Sequence, residues 1–221
     1  MIIAIDGPAG AGKSTLGRML ARELNLLYMD TGAMYRAVAL AVIEAGASTT
    51  DDVAVGSVAE NVDINLAGDP DSLQVMLDGR DVSQAIRSEE VTQTSSVISV
   101  IPQVRRAMVA RQRELARRGG RVVLEGRDIG TVVFPDADIK FFLTAAPGER
   151  AHRRFEENRH QERDRTFEET LADINRRDQR DSTRADSPLA IAEDAIVIDA
   201  TELSIEEVFA HMLAAVRERN N

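Results

Sequence analysis

Cysteine is absent from the 221 residues, lysine occurs only at positions 13 and 140, and no apolar run approaches the ~20 residues that cross a membrane. Without cysteine there is no disulfide framework and no thiolate metal site, which agrees with a cytosolic location. The opening MIIAIDGPAG lacks a basic n-region and carries Asp6, so it does not read as a signal peptide. Acidic residues outnumber basic ones, 37 to 27. The net charge is −10, against the broad basic footprint of a nucleic-acid binder. The three histidines, His152, His160 and His211, have no ligand spacing and read as surface or packing residues.

The apolar fraction of 43% is ordinary, and the length suits one hydrophobic core, so a single compact domain with an inserted subdomain is expected. The arginines are not spread evenly. Eight fall between Arg105 and Arg127 and ten between Arg150 and Arg184. Most of these read as solvated helix faces, but two such concentrations in an acidic chain also suit a small anionic ligand. Where nearly every cation is arginine, Lys13 stands out for its compact ammonium.

Short apolar runs alternate with helical periodicity. Met1–Asp6, Leu26–Met29, Val122–Leu124, Ile139–Leu143 and Ile196–Ile198 read as buried parallel strands. Helices are expected over Lys13–Asn25, Ala33–Ala45, about Thr50 (as cap) to Asn61, Ser88–Val100, from Pro102 to the stop at Gly119-Gly120, and from Pro147. Thr166 with Glu169, and Ser204 with Glu207, form capping boxes. The last helix turns Ile205, Val208, Met212, Leu213 and Val216 inward. From Val62 to Val82 the period changes to two, with turn signals at Gly68-Asp69-Pro70 and Asp78-Gly79, which predicts a small antiparallel sheet. Alternating strand and helix give an α/β fold, a central parallel sheet with helices on both faces, whose ligands bind beyond the carboxyl ends of the strands. Asp6-Gly7, Glu125–Asp128 and Leu143-Thr144 fall at such ends.

Gly7-Pro8-Ala9-Gly10-Ala11-Gly12-Lys13-Ser14 matches G-x-x-x-x-G-K-[ST] between an expected strand and helix. Glycines let backbone N–H groups turn around phosphate oxygens, and the helix N-terminus adds partial positive charge. In this motif Lys13 reaches the β- and γ-phosphates and Ser14 ligates Mg²⁺, with Thr15 next to it. The motif implies nucleoside triphosphate binding and leaves the acceptor open. A GTP-binding switch would need an N-K-x-D segment, which is absent, and Asp128-Ile129-Gly130 lacks D-x-x-G spacing. For a motor or transport ATPase, Val122-Val123-Leu124-Glu125 is a poor match to the required acidic strand end. A small-molecule kinase needs a second anion site. Asp30-Thr31-Gly32-Ala33-Met34-Tyr35-Arg36 suits one, since Thr31 and Gly32 offer donors and Arg36 a bidentate fork. The plainer reading is a helix cap followed by an exposed Tyr and Arg.

Four segments then become specific: Asp30–Arg36, Glu125–Ala137 (EGRDIGTVVFPDA), Arg150–Arg154 (RAHRR) and Arg177–Arg184 (RDQRDSTR). Together with the phosphate loop they closely resemble the bacterial cytidylate kinases, from the loop to about residue 200. The resemblance implies the P-loop three-layer fold with a five-stranded sheet, an antiparallel insertion and a short helical lid at about 150–170, centred on a loop from about Glu156 to Arg165. It implies ATP with Mg²⁺ as donor and CMP or dCMP as acceptor; UMP is the alternative acceptor. A monomer is expected because no exposed apolar stripe suggests a partner, and the net charge and the lack of a long apolar run predict no nucleic-acid or membrane partner. The resemblance assigns Thr31, Tyr35 and Arg36 to the monophosphate site within a region of about 30–105, and Ser96, Arg105 and Asp128 to the cytosine ring. Arg127 and Arg184 would hold the CMP phosphate and Asp181 the ribose hydroxyls. Arg153 would lie near the ATP base and Arg177 near the transferring group. The chemistry is consistent. A carboxylate accepts from the amino group at C4 of cytosine, whereas uracil would leave a buried acceptor unpaired at a cost of ~1–3 kcal/mol, or about 5–150-fold in discrimination. Plainer readings exist for several residues. Asp128 could be a structural carboxylate pairing Arg127, Ser96 a helix-face serine beside Ser95, and Arg177, Arg180 and Arg184 an exposed helix end, although like charges at that spacing repel unless an anion sits between them.

Overall fold

The computed structural model describes residues 1–160 and 165–219. The short apolar runs form β1 (Ile2–Asp6), β2 (Leu27–Asp30), β6 (Val122–Glu125), β7 (Ile139–Thr144) and β8 (Ile196–Asp199), in a five-stranded parallel sheet of order β2-β6-β1-β7-β8. Between them run α1 (Lys13–Leu24), α2 (Thr31–Glu44), α3 (Asp52–Asn61), α4 (Glu89–Ile98), α5 (Pro102–Gly119), α6 (Pro147–His160), α7 (Phe167–Thr183) and α8 (Ile205–Arg219). The period-two stretch becomes a second, antiparallel sheet of β3 (Ile64–Ala67), β4 (Gln74–Leu77) and β5 (Arg80–Asp81). Among the described residues, no helix is long and apolar enough to cross a membrane.

The chain divides into two compact units, one of Met1 with Ala21–Leu124 and one of Ile2–Leu20 with Glu125–Asn221. In the first, β3 and β4 pair Ile64 with Leu77 and Leu66 with Val75, and the alternation buries Ile64, Val75 and Leu77 on one face. Asp78 and Gly79 both take positive φ, 48° and 77°, which gives the tight hairpin that the Asp-Gly pair predicts. Met34, Val38 and Val42 of α2, Ile98 of α4, and Val104 and Met108 of α5 complete the buried apolar set. Full burial of each such side chain contributes about 1.5–3 kcal/mol.

In the second unit β1 lies beside β7, with Ile3 opposite Ile139 and Asp6 opposite Phe142, and β8 continues on the other side of β7. Leu16 and Leu20 of α1 and Val208, Met212 and Val216 of α8 are buried. Both capping boxes form, Thr166 with Glu169 and Ser204 with Glu207.

Three local expectations change, and one further element appears. The second helix begins at Thr31, not Ala33, because the Asp30 carboxylate accepts from the Ala33 N–H at 2.8 Å. The cap of α3 is Asp51, not Thr50; its carboxylate accepts from Ala54 N–H, while Thr50 pairs with Ser48. The fifth strand is an edge strand, with Ile196 40% and Val197 50% exposed, so its β-branched run is only partly buried. Between Ile129 and Val133 the chain winds into a single π-type turn, closed by Phe134 N–H on the Ile129 carbonyl at 2.7 Å. The expected lid loop falls partly on residues 161–164, outside the described residues.

Two glycines should respond differently to alanine. At Gly79 a Cβ meets nothing within 4 Å, so Gly79→Ala costs only the positive φ, about 1 kcal/mol. At Gly7, with φ of 142°, a Cβ would stand 2.0 Å from the backbone oxygen of Leu143, and we expect Gly7→Ala to lose more than about 3 kcal/mol in urea unfolding. Equal costs would show that β1 and β7 do not approach as closely as described.

Candidate active site

The phosphate loop leaves β1 at Asp6 and enters α1 at Lys13, with Gly7, Gly10 and Gly12 at φ of 142°, 77° and 88°. These conformations turn the loop back on itself ahead of the helix N-terminus, where unpaired N–H groups gather. Lys13 is buried, and its Nζ donates to the Pro8 carbonyl at 2.7 Å. Burial pushes its ammonium from an ordinary 10.5 down to about 7, and Arg127 pushes the same way, while Glu125, Asp6 and Asp181 pull it back up. Ser14 is half-buried in the first turn and Thr15 is exposed.

Asp6 is buried at the end of β1, where both of its carboxylate oxygens are in use. They accept from the N–H groups of Ile129 at 2.8 Å and Gly130 at 2.7 Å. Burial nevertheless raises its carboxyl from 3.8 to about 6; the two backbone donors lower it and Asp128 adds to the rise. The π-type turn that carries Asp128 is therefore pinned to the strand that starts the phosphate loop.

Arg127 follows the end of β6. Its Nε donates to Asp181 of α7 at 2.8 Å, and its Nη1 to the Gly126 carbonyl at 3.2 Å. Burial opposes its charge, but the Asp181 carboxylate more than offsets this, and its pKa rises. Arg184, at the end of α7, is buried with Nη2 3.7 Å from Asp128 and Nη1 3.9 Å from Asp181, and its Nε donates to the Ser187 carbonyl. Asp128 thus faces Arg184, and Arg127 pairs with Asp181. Arg177 is held below the usual guanidinium range by burial, with Arg154 and Arg127 adding repulsion against Asp173. Asp173 stands 2.9 Å from its Nε but off the N–H direction, so that buried donor makes no hydrogen bond among the described residues.

Lys13, Arg127, Asp128, Arg177, Asp181 and Arg184 therefore belong to one unit, with the cations and carboxylates of α7 and β6 within electrostatic reach of the loop. Arg153 is in the same unit, but its Nη2 donates to the Ala200 carbonyl at 2.6 Å and its Nε lies 3.6 Å from Glu149. His152 and His211 are exposed.

The other expected residues belong to the first unit. Thr31 is buried at the start of α2. Arg36 is not simply exposed, because its Nη2 donates to Asp30 at 3.0 Å; one carboxylate both caps the helix and holds the arginine. The buried Arg105 guanidinium lies 5.9 Å from the centre of the Tyr35 ring, and its Nη1 donates to the Ser99 carbonyl at 3.2 Å. Ser96, in α4, is half-buried next to the buried Ser95. Sequence reasoning passed over Asp6, Glu125 and Arg150, all buried and charged. Their polarity inside apolar strands or at a helix start was the available signal.

Residues 3–218 match the family model described as Cytidylate kinase. Curated relatives named cytidylate kinase are similar over their whole length. The protein of Solibacter usitatus (strain Ellin6076) is 51% identical over 221 residues, covering 99% of this chain and 93% of its own. That of Rhodococcus opacus (strain B4) is 47% identical over 220 residues, covering 100% and 96%. Among solved structures, an uncharacterized protein from Eubacterium ventriosum ATCC 27560 aligns with a TM-score of 0.51 at 12% identity, covering 98% of each chain; this likeness concerns the fold alone.

The buried Lys13 sets a pH dependence. Between about 7 and 10.5 the unfolded chain holds a proton on this amine that the folded chain has released, so stability from this group rises with pH across that window and is lost as pH falls through it. Lys13→Met lacks the titration. Urea midpoints of the nucleotide-free proteins should therefore favour Lys13→Met most at pH 7 and converge toward pH 10. A difference that stays constant with pH would mean that Lys13 titrates normally.

Proposed function

We propose that this chain, which belongs to the cytidylate kinase family and so is a phosphotransferase acting on CMP, takes its phosphoryl group from ATP and also accepts dCMP, releasing ADP with CDP or dCDP. The observation that carries the donor assignment is the phosphate loop with its buried lysine, beside a cluster of three arginines in the same unit. The unbonded Nε of Arg177 fits as well, since a buried N–H in such a cluster is suited to an incoming phosphate oxygen.

In this reading Gly7, Pro8, Ala9, Gly10, Ala11, Gly12, Lys13, Ser14 and Thr15 hold the triphosphate, with Arg153 toward the ATP base and the Ser14 hydroxyl toward Mg²⁺. The metal, when bound, supplies charge neutralisation at the phosphates. The acceptor is read by Thr31, Tyr35, Arg36, Ser96, Arg105 and Asp128, with Arg127 and Arg184 on its phosphate and Asp181 on its ribose. A phosphate oxygen of CMP attacks the γ-phosphorus of ATP as the bond to the β,γ-bridging oxygen breaks. The second phosphate pKa of the acceptor is about 6, so the nucleophile is already ionised at neutral pH and no general base is required. Catalysis is then positioning and charge stabilisation by Lys13, Arg127, Arg177 and Arg184. The arginine-rich lid region of about 150–170 serves to exclude water, a competing acceptor. Residues 1–221 act as one kinase, with 30–105 as the monophosphate region. The partners are small nucleotides, and the enzyme works as a cytoplasmic monomer; its net charge of −10 speaks against nucleic acid.

A coupled ADP assay with ATP and CMP, dCMP, UMP or AMP tests the acceptor. CMP and dCMP should turn over at least about fivefold faster than UMP, the lower bound for one unpaired buried acceptor. UMP turnover equal to CMP would remove Asp128 as the base reader. Lys13→Ala should lose more than about 100-fold in kcat, in line with removal of a charge-stabilising donor. Turnover near that of the unmodified chain would dismiss the loop as the donor site. Asp181→Ala should lose its preference for CMP over dCMP more than it loses total rate, and an unchanged CMP/dCMP ratio would contradict the ribose role.

A further inference from the structure

Arg150 has no part in the reaction described above, yet its side chain is only 4% exposed and each of its three nitrogens donates a hydrogen bond. Nε donates to the Ala145 carbonyl at 2.8 Å, which fixes the guanidinium against the start of its own helix, α6. Nη1 donates to the Ala9 carbonyl, in the middle of the phosphate loop, at 3.1 Å. Nη1 and Nη2 also grip Asp178 of α7 in a fork, at 3.1 and 2.7 Å. The backbone of Arg150 supports the same loop, since a Cβ at Gly10 would fall 2.9 Å from the Arg150 carbonyl oxygen and 3.0 Å from its Cβ. One planar group thus touches the phosphate loop and α7 at once.

The position of Asp178 on α7 matters. It follows Arg177 directly and lies three residues before Asp181, which receives Arg127. Two carboxylates one helical turn apart therefore hold α7, one through Arg127 and one through Arg150, and only the second reaches the loop. A bidentate guanidinium fixes both distance and orientation, which a lysine at this position would not do. The donation to Ala9 also keeps that carbonyl directed at Arg150, away from any anion seated among the loop's N–H groups.

We propose that Arg150 is a positioning residue that couples the phosphate loop to α7 through Asp178, so that occupation of the loop orders the helix carrying Arg177 and Arg184. The proposal rests on the loop's holding ATP. Displacing a reacting or stabilising group by an ångström is enough to cost a large factor in rate, so loss of the coupling should appear in kcat more than in either KM.

Hydrogen exchange followed by mass spectrometry tests it on the full chain, with a non-hydrolysable ATP analogue and Mg²⁺ as the probe. In the unmodified protein the analogue should slow exchange at residues 7–15 and also at 167–183. In Asp178→Asn the slowing should persist at 7–15 and be lost at 167–183, and kcat should fall roughly tenfold or more. Arg150→Met should behave the same way, and the double variant should be no worse than either single one. If Arg150→Met does not fold, Asp178→Asn decides the matter alone. Slowing at 167–183 that survives in Asp178→Asn, or that is missing from the unmodified protein while 7–15 responds, overturns the coupling. No slowing at 7–15 in the unmodified protein overturns the ATP reading, and the coupling with it.

Discussion

The structure depends on keeping several positive charges buried near one another. Lys13, Arg127, Arg150 and Arg184 all lie in the second unit with little or partial exposure. Isolated charges in such a setting would be prohibitive, since the loss of hydration far exceeds what any single hydrogen bond returns. The chain answers with carboxylates from distant segments. Asp181 takes Arg127, Asp128 and Asp181 face Arg184, and Asp178 takes Arg150. What remains is the cost of burial itself, which depresses the pKa of Lys13, with Arg127 adding repulsion.

This arrangement bears on chemistry as well as on stability. The carboxylates that face Arg127 and Arg184 are Asp128 and Asp181, the two that the proposed reaction turns toward the base and ribose of the acceptor. A phosphate arriving at Arg127 and Arg184 would take over part of the charge balance that these carboxylates now supply. In that reading the arginines are held in place by the protein's own carboxylates. Such preorganisation is what makes electrostatic stabilisation effective in a reaction that needs little proton transfer.

What the sequence made legible follows from range. The phosphate loop, the Asp78-Gly79 hairpin and the two capping boxes are decided within a few residues, and each formed as expected. Thr50 and Asp51 are both good caps one position apart, and local propensity does not separate them. The edge placement of β8 was hidden because a β-branched run reads alike at the centre or the rim of a sheet, and strand order is set by packing across the whole chain. The least legible parts were Asp6 and Arg150, whose partners at Gly130 and Ala9 are 124 and 141 positions away. The family resemblance supplied the list of site residues, but the pairings among them, such as Arg36 on Asp30 or Arg184 near Asp128, came only from the fold.

The scarcity of lysine acquires a physical meaning once both are located. Lys13 and Lys140 are each buried at 6% exposure, while the surface cations of the chain are arginines. Lys140 spreads its donors over the Pro135 carbonyl and Asp194, and its stem lies against Gly130, where a Cβ would come within 3.0 Å of Cδ. A guanidinium is wider and planar and would not fit so narrow a place. At Lys13 the difference is one of charge. An ammonium can give up its proton when burial and Arg127 disfavour it, whereas a guanidinium remains charged under all ordinary conditions. An arginine there would set a permanent charge against Arg127 in every state of the protein.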